Sequence, residues 1–120
     1  MYLSRFDPDQ QVFYVTLVGP VQLTELARSL RDCFAVPYVG EMRAFWEISK
    51  MQVEFGIQEV DELLQVVQAA DVPRGKFAFV VSDQEFLRSV VQSVRGLRDE
   101  WTTSWRIFAS AEDAAHWLTE

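Results

Sequence analysis

Asp71-Val72-Pro73-Arg74-Gly75-Lys76-Phe77-Ala78-Phe79-Val80-Val81-Ser82-Asp83-Gln84-Glu85 packs a turn, a short apolar run and a helix start into one stretch. Pro and Gly at its head are turn residues, because proline presets φ and glycine tolerates positive φ. Phe77 to Val81 carries no polar side chain, as expected of a strand buried on both faces. Ser82 followed by Glu85 is a capping box, in which each side chain satisfies a backbone N–H at the start of a helix. A strand covered on both faces and leading straight into a helix is the repeating unit of an α/β sheet.

The same reading extends in both directions. Downstream, the stripe Phe86, Leu87, Val90, Val91, Val94, Leu97 and Trp101 has helical spacing, Trp105 to Ala109 reads as a last strand, and Ser110 caps a final short helix that buries Ala114, Trp117 and Leu118. Upstream, Ile57, Val60, Leu63, Leu64 and Val67 form the inner face of a helix whose outer face is Glu59, Asp61, Glu62 and Gln65. Before it, Met42, Ala44, Trp46 and Ile48 alternate with Arg43, Phe45 and Glu47, the period of a strand. Leu23, Leu26, Ala27, Leu30, Cys33 and Phe34 make another helical stripe, stopped by Pro37 and Gly40. Residues 2–6 and 11–18 read as two strands joined by the turn Asp7-Pro8-Asp9-Gln10, with Gly19-Pro20 ending the second. The predicted order is β-β-α-β-α-β-α-β-α: an opening hairpin, then right-handed crossovers building a mostly parallel mixed sheet packed with helices.

At 120 residues the chain is expected to form a single domain, residues 1–120, that buries roughly two thirds of its unfolded surface and needs no staple. With 49% hydrophobic and 24% charged residues it has globular composition. A net charge of −7 without a basic cluster argues against nucleic acid and against anionic membranes. No apolar run is long enough for a membrane span, and the start has neither the basic nor the apolar region of a signal peptide, so a cytoplasmic setting is expected. The single cysteine agrees with a reducing compartment.

Chemistry-bearing motifs are scarce. One His and one Cys supply no metal-ligand cluster, and neither a phosphate cradle nor a nucleophile elbow occurs, so no cofactor, no metal and no catalytic residue is expected. Cys33 falls on the apolar stripe of the first helix and reads as a core hydrophobe. His116, beside Glu112 and Asp113, reads as solvated. Trp46, Trp101, Trp105 and Trp117 read as core, with Trp101 or Trp105 the alternative as an exposed contact residue near Thr102-Thr103-Ser104. Charge is uneven: from Glu41 to Asp71 there are seven acids against Arg43 and Lys50, and from Arg74 to Arg106 six bases against four acids. Solvated helix faces explain this, as does a homodimer in which one copy's acidic second helix meets the other's basic third.

Particular residues add a family likeness. Val18-Gly19 closes the second strand before a helix. Trp46-Glu47-Ile48-Ser49 is similar to an Asp-Leu-Ser strand end. Val80-Val81-Ser82-Asp83 is followed by Ile107-Phe108-Ala109-Ser110-Ala111-Glu112-Asp113-Ala114-Ala115-His116-Trp117-Leu118. Over its whole length the chain resembles the STAS/SpoIIAA-like group of bacterial anti-sigma-factor antagonists. The resemblance implies a SpoIIAA-like fold and a non-enzymatic, regulatory role through binding another protein. The group's phosphorylatable members carry Ser or Thr at the start of the second helix, whereas Met51-Gln52-Val53-Glu54-Phe55-Gly56 has neither. Some members share the Sec14-type lipid-transfer fold, which implies an alternative role as a carrier of small apolar ligands. Ligand sites in open α/β sheets lie beyond the carboxyl ends of the strands. The expected partner-binding residues are therefore Gln22, Glu47, Ser49, Lys50, Glu54, Phe55, Asp83 and Gln84, in loops 19–22, 49–56 and 82–84. Phe55 reads equally as an exposed anchor for a partner and as a staple against the core.

Overall fold

The computed structural model describes residues 1–53, 59, 74–81 and 103–120. Its elements are β1 (Tyr2–Asp7), β2 (Val12–Val21), α1 (Leu23–Ala35), β3 (Met42–Val53), β4 (Gly75–Val80), β5 (Thr103–Phe108) and α2 (Ala111–Leu118). The helices predicted over 57–67 and 86–101, the Ser82 capping box and Trp101 lie outside the described residues, as does the side chain of Trp105.

The strands form one five-stranded sheet in the order β1-β2-β3-β4-β5. β1 pairs antiparallel with β2, and every later pair is parallel. The hairpin turn works because the Asp7 carboxylate accepts from the N–H groups of Asp9 and Gln10, at 3.0 and 3.3 Å. Gln11, expected in the strand, instead completes the turn at a φ of 57°. The amide of Gln11 donates to the Pro8 carbonyl and its Oε1 accepts from Val39 N–H, which holds the residue in that conformation.

Because side chains alternate along a strand, the sheet has two distinct faces. Phe13, Val15 and Leu17 of β2, Ala44 and Trp46 of β3 and Phe77 and Phe79 of β4 bury one face together with Ala27, Leu30 and Cys33 of α1. Phe34 meets Phe77 edge-on at 5.9 Å, and Trp46 lies 5.8 Å from Phe79. Cys33 is fully buried, as its place on the stripe predicts. Its carbonyl accepts from the Tyr38 hydroxyl at 3.0 Å. Burial pushes the thiol up to about 12, the hydrogen bond to Tyr38 opposing it. The other face carries Val12, Ala78 and Val80, packed on Ala114 and Leu118 of α2. The small Ala78 and Ala114 let this helix lie close to the sheet. Ser110 caps it as expected, accepting from Asp113 N–H at 3.4 Å.

Strand boundaries move from their expected places: β4 is Gly75–Val80 where Phe77 to Val81 was expected, and β5 is Thr103–Phe108 where Trp105 to Ala109 was expected. β2 does not stop at Gly19-Pro20 but runs to Val21, and β3 runs past Ser49 to Val53. β1 reaches β2 only as far as Val18, whose N–H donates to the Met1 carbonyl. Beyond that point β2 is paired on one side only, where a strand tolerates a proline. Gly19 supplies the φ of 71° that keeps the ribbon in register, with Pro20 opposite Gln52 and Val21 opposite Val53. No helix among the described residues is long and apolar enough to cross a membrane.

Candidate functional site

The carboxyl ends of β2, β3 and β4 lie at one edge because the three strands are parallel. β3 passes a bulge there. Thr16 pairs with Glu47 and Val18 with Lys50, so Ile48 and Ser49 together oppose the single residue Leu17. Bulges bend a strand and re-aim its side chains. Before this one the buried residues are Met42, Ala44 and Trp46, within it Ile48, and after it Met51. The two-residue alternation shifts by one between them. Ile48 and Met51 stay in the core, while Glu47, Ser49 and Lys50 are left half-buried or exposed.

The Glu47 side chain locks the bulge. Its Oε1 accepts from the Ser49 N–H at 3.1 Å and from the Ser49 hydroxyl. A carboxylate holding two donors of the same strand is fixed in direction, and the charge is carried on a rigid element instead of a loop. Glu47 also stands opposite Val80, the last residue of β4. The third strand therefore projects beyond the fourth, carrying Lys50 on its exposed part.

Of the expected partner-binding residues, the structure brings Glu47, Ser49 and Lys50 together on β3. Gln22 sits at the same edge, exposed, where it follows β2 and precedes α1, making no side-chain cap to the helix. Glu54, Phe55, Asp83 and Gln84 lie outside the described residues. The expectation that 19–22 and 49–56 are loops is corrected over 19–21 and 49–53, which are strand. Residue propensity could not reveal this, because the ribbon depends on Glu47 and Ser49 being neighbours across a bulge.

A second feature lies on the α2 face and was not anticipated. A cleft of about 340 Å³ runs between α2 and the sheet, with Val12, Tyr14 and Phe45 as floor and Glu112 and His116 on the rim. Tyr14 and Phe45 are half-buried and 5.5 Å apart, and the Arg5 guanidinium lies 4.2 Å above the Tyr14 ring. The signal present in the sequence was Phe45, a large apolar residue among the polar alternates Arg43 and Glu47. His116 is exposed, as expected. Trp117 is half-buried instead of core, with Lys76 lying 5.1 Å above its ring and donating to its carbonyl at 3.0 Å. Among the described residues no group of three or more His, Cys, Asp or Glu side chains is placed to hold a metal.

Comparison of this architecture with solved structures finds an uncharacterised protein of the DUF3478 family from Shewanella loihica PV-4, described as having a SpoIIAA-like fold. The match has a TM-score of 0.59 and covers 98% of this chain and 92% of that one. The fold is SpoIIAA-like. Sequence identity is 15%, so the likeness is one of fold. No protein-family model matches the chain, and no curated protein does. The resemblance read from the strand ends and the closing helix is thus met by the architecture.

Proposed function

We propose that the chain is a non-enzymatic regulatory module that binds another protein at the carboxyl edge of its parallel strands. The observation that carries this reading is the Glu47–Ser49 bulge. It sets a fixed carboxylate and the exposed Lys50 side by side on a rigid strand, a short charged pattern that a complementary surface can read. The bond from Ser49 occupies the only hydroxyl in the segment 47–56, and residues 51–56 contain neither Ser nor Thr. A constitutive surface fits these residues better than a phosphate-operated one.

A carrier of small apolar ligands is the second reading, favoured by the apolar floor of the cleft beside α2. Its volume of about 340 Å³ is at the small end for ligand pockets, which usually enclose most of their ligand. The cleft is open along its solvent side, which suits a contact surface better than a carrier.

The test is site-directed cross-linking in the producing cell. A photoreactive residue in place of Lys50 is expected to trap one discrete protein, whereas the same group in place of Val39, 81% exposed beyond α1, should not. Lys50→Glu should weaken binding of the trapped protein about tenfold, as reversal of an interface charge does, and leave the melting temperature unchanged. Equal trapping from both positions, or full affinity in Lys50→Glu, would refute the assignment of this edge.

A further inference from the structure

Arg43 and Lys76 are direct partners across β3 and β4, close to the amino ends of both strands. Neighbouring strands lie about 4.8 Å apart, so the two positive charges rise side by side from the sheet and repel one another. Both side chains are half-buried. Among the described residues no carboxylate lies within 4 Å of either, the ion pair found there being between the Met1 amino group and Glu25. Neutral oxygens orient the two cations instead. Arg43 donates to the Gln10 carbonyl at 3.4 Å and Lys76 to the Trp117 carbonyl at 3.0 Å. Such contacts leave both charges uncompensated and most of their N–H groups open to a further acceptor.

The pair lines a cleft of about 360 Å³. One wall is held by the Gln11 side chain, which ties the hairpin turn to the segment after α1 through the Pro8 carbonyl and the Val39 N–H. Asp9, Glu41 and Glu120 line the same cleft, and all three are exposed where the cations are half-buried. The cleft is therefore graded in charge, positive in its depth and negative at its rim.

We propose that this cleft binds a small zwitterion of the amino-acid class, its carboxylate held by Arg43 and Lys76 and its ammonium by the rim carboxylates. A guanidinium takes a carboxylate through two parallel hydrogen bonds, and an ammonium beside it adds a point charge. A ligand carboxylate thus supplies the counter-charge that the strand pair lacks. A simple anion would meet the same floor but pass the acidic rim unpaired, and a simple cation would meet the rim above two positive charges. A molecule with both charges satisfies both levels. The volume suits one small molecule, since ligand pockets begin near about 300 Å³. The cleft opens at the amino ends of the parallel strands, the edge opposite the Glu47–Ser49 bulge, so it stands apart from the protein-binding reading.

Titration calorimetry of the full chain tests this with L-alanine, β-alanine, 4-aminobutyrate and 6-aminohexanoate, which step the distance between the two charges. Butyrate and butylamine are the single-charge controls. At least one of the amino acids is expected to bind about tenfold more tightly than either control. Arg43→Gln should weaken that binding about tenfold, as loss of a hydrogen bond to a charged group does, with circular dichroism melts as the check on folding. The double variant Glu41→Gln, Glu120→Gln alters exposed positions alone. It should weaken the amino acid and strengthen butyrate, a change of preference that a folding defect cannot produce. Failure of every amino acid to bind at millimolar concentration overturns the proposal. So does binding that survives Arg43→Gln, which places the ligand elsewhere. Butyrate binding as tightly as the amino acids also overturns it, in favour of a site for simple anions.

Discussion

Cys33 and the two tyrosines around α1 show how burial, first among several causes, sets the acid–base behaviour of these groups. Burial holds the Cys33 thiol up at about 12 and raises Tyr38 above the usual tyrosine range, with Cys33 beside it adding to the effect. Tyr2 is likewise pushed up to about 12, chiefly by burial and also by its bond to the Asp32 carboxylate at 2.7 Å. In the unfolded chain a thiol loses its proton near pH 8.5 and a phenol near about 10. Between those values and the folded ones the native state binds more protons than the unfolded state. Stability is then fully present below about pH 8.5 and declines as pH rises toward about 12. The melting temperature is expected to fall steadily from pH 9 upward relative to its value at pH 8, in a calorimetric pH series. A flat profile to pH 11 would contradict the buried thiol and phenols. The same burial predicts that a thiol reagent at pH 8 labels Cys33 only after denaturant is added, so prompt labelling of folded protein would place the side chain at the surface.

The decisive contacts among elements are made by small residues and by the bulge. Gly75 opens β4 opposite Met42, and a Cβ there would overlap the Met42 backbone carbonyl. Met42 N–H donates to the Arg74 carbonyl at 2.8 Å, so the two strands are anchored where the overlap would fall. Gly75→Ala is expected to destabilise the protein by about 1–3 kcal/mol or more, the cost of overpacking where backbone cannot move, measured by urea unfolding. A change below about 0.5 kcal/mol would mean the two strands separate freely. The glycine was legible only as turn punctuation, because the atom that forbids a side chain belongs to residue 42. The lengthened β2–β3 ribbon was hidden for a related reason. Gly19-Pro20 is a strand terminator by local rules, and those rules do not know that pairing with β1 ends at Val18 and leaves Pro20 a side with nothing to pair.

For the molecule as a whole, cohesion rests on two apolar layers packed on one sheet, without any metal cluster among the described residues. EDTA in excess is expected to leave the melting temperature unchanged, and a drop of more than a few degrees would reveal a stabilising cation. Much of this architecture was written in local pattern. The apolar run Phe77 to Val81, the alternation from Met42 to Ile48, the stripe from Leu23 to Phe34 and the Ser110 cap each report an element, because periodicity and capping are properties of neighbouring residues. Their order already implied a hairpin followed by parallel strands. By itself the sequence thus determined the order of the described elements, the core face of α1 and the burial of Cys33. Tertiary structure decided the rest: the bulge that turns Glu47, Ser49 and Lys50 out along one rigid edge, the continuation through Pro20, and the cleft that joins Tyr14 and Phe45 to Glu112. Each of these depends on which strand lies beside which and in what register, and register is a relation between residues distant in the chain.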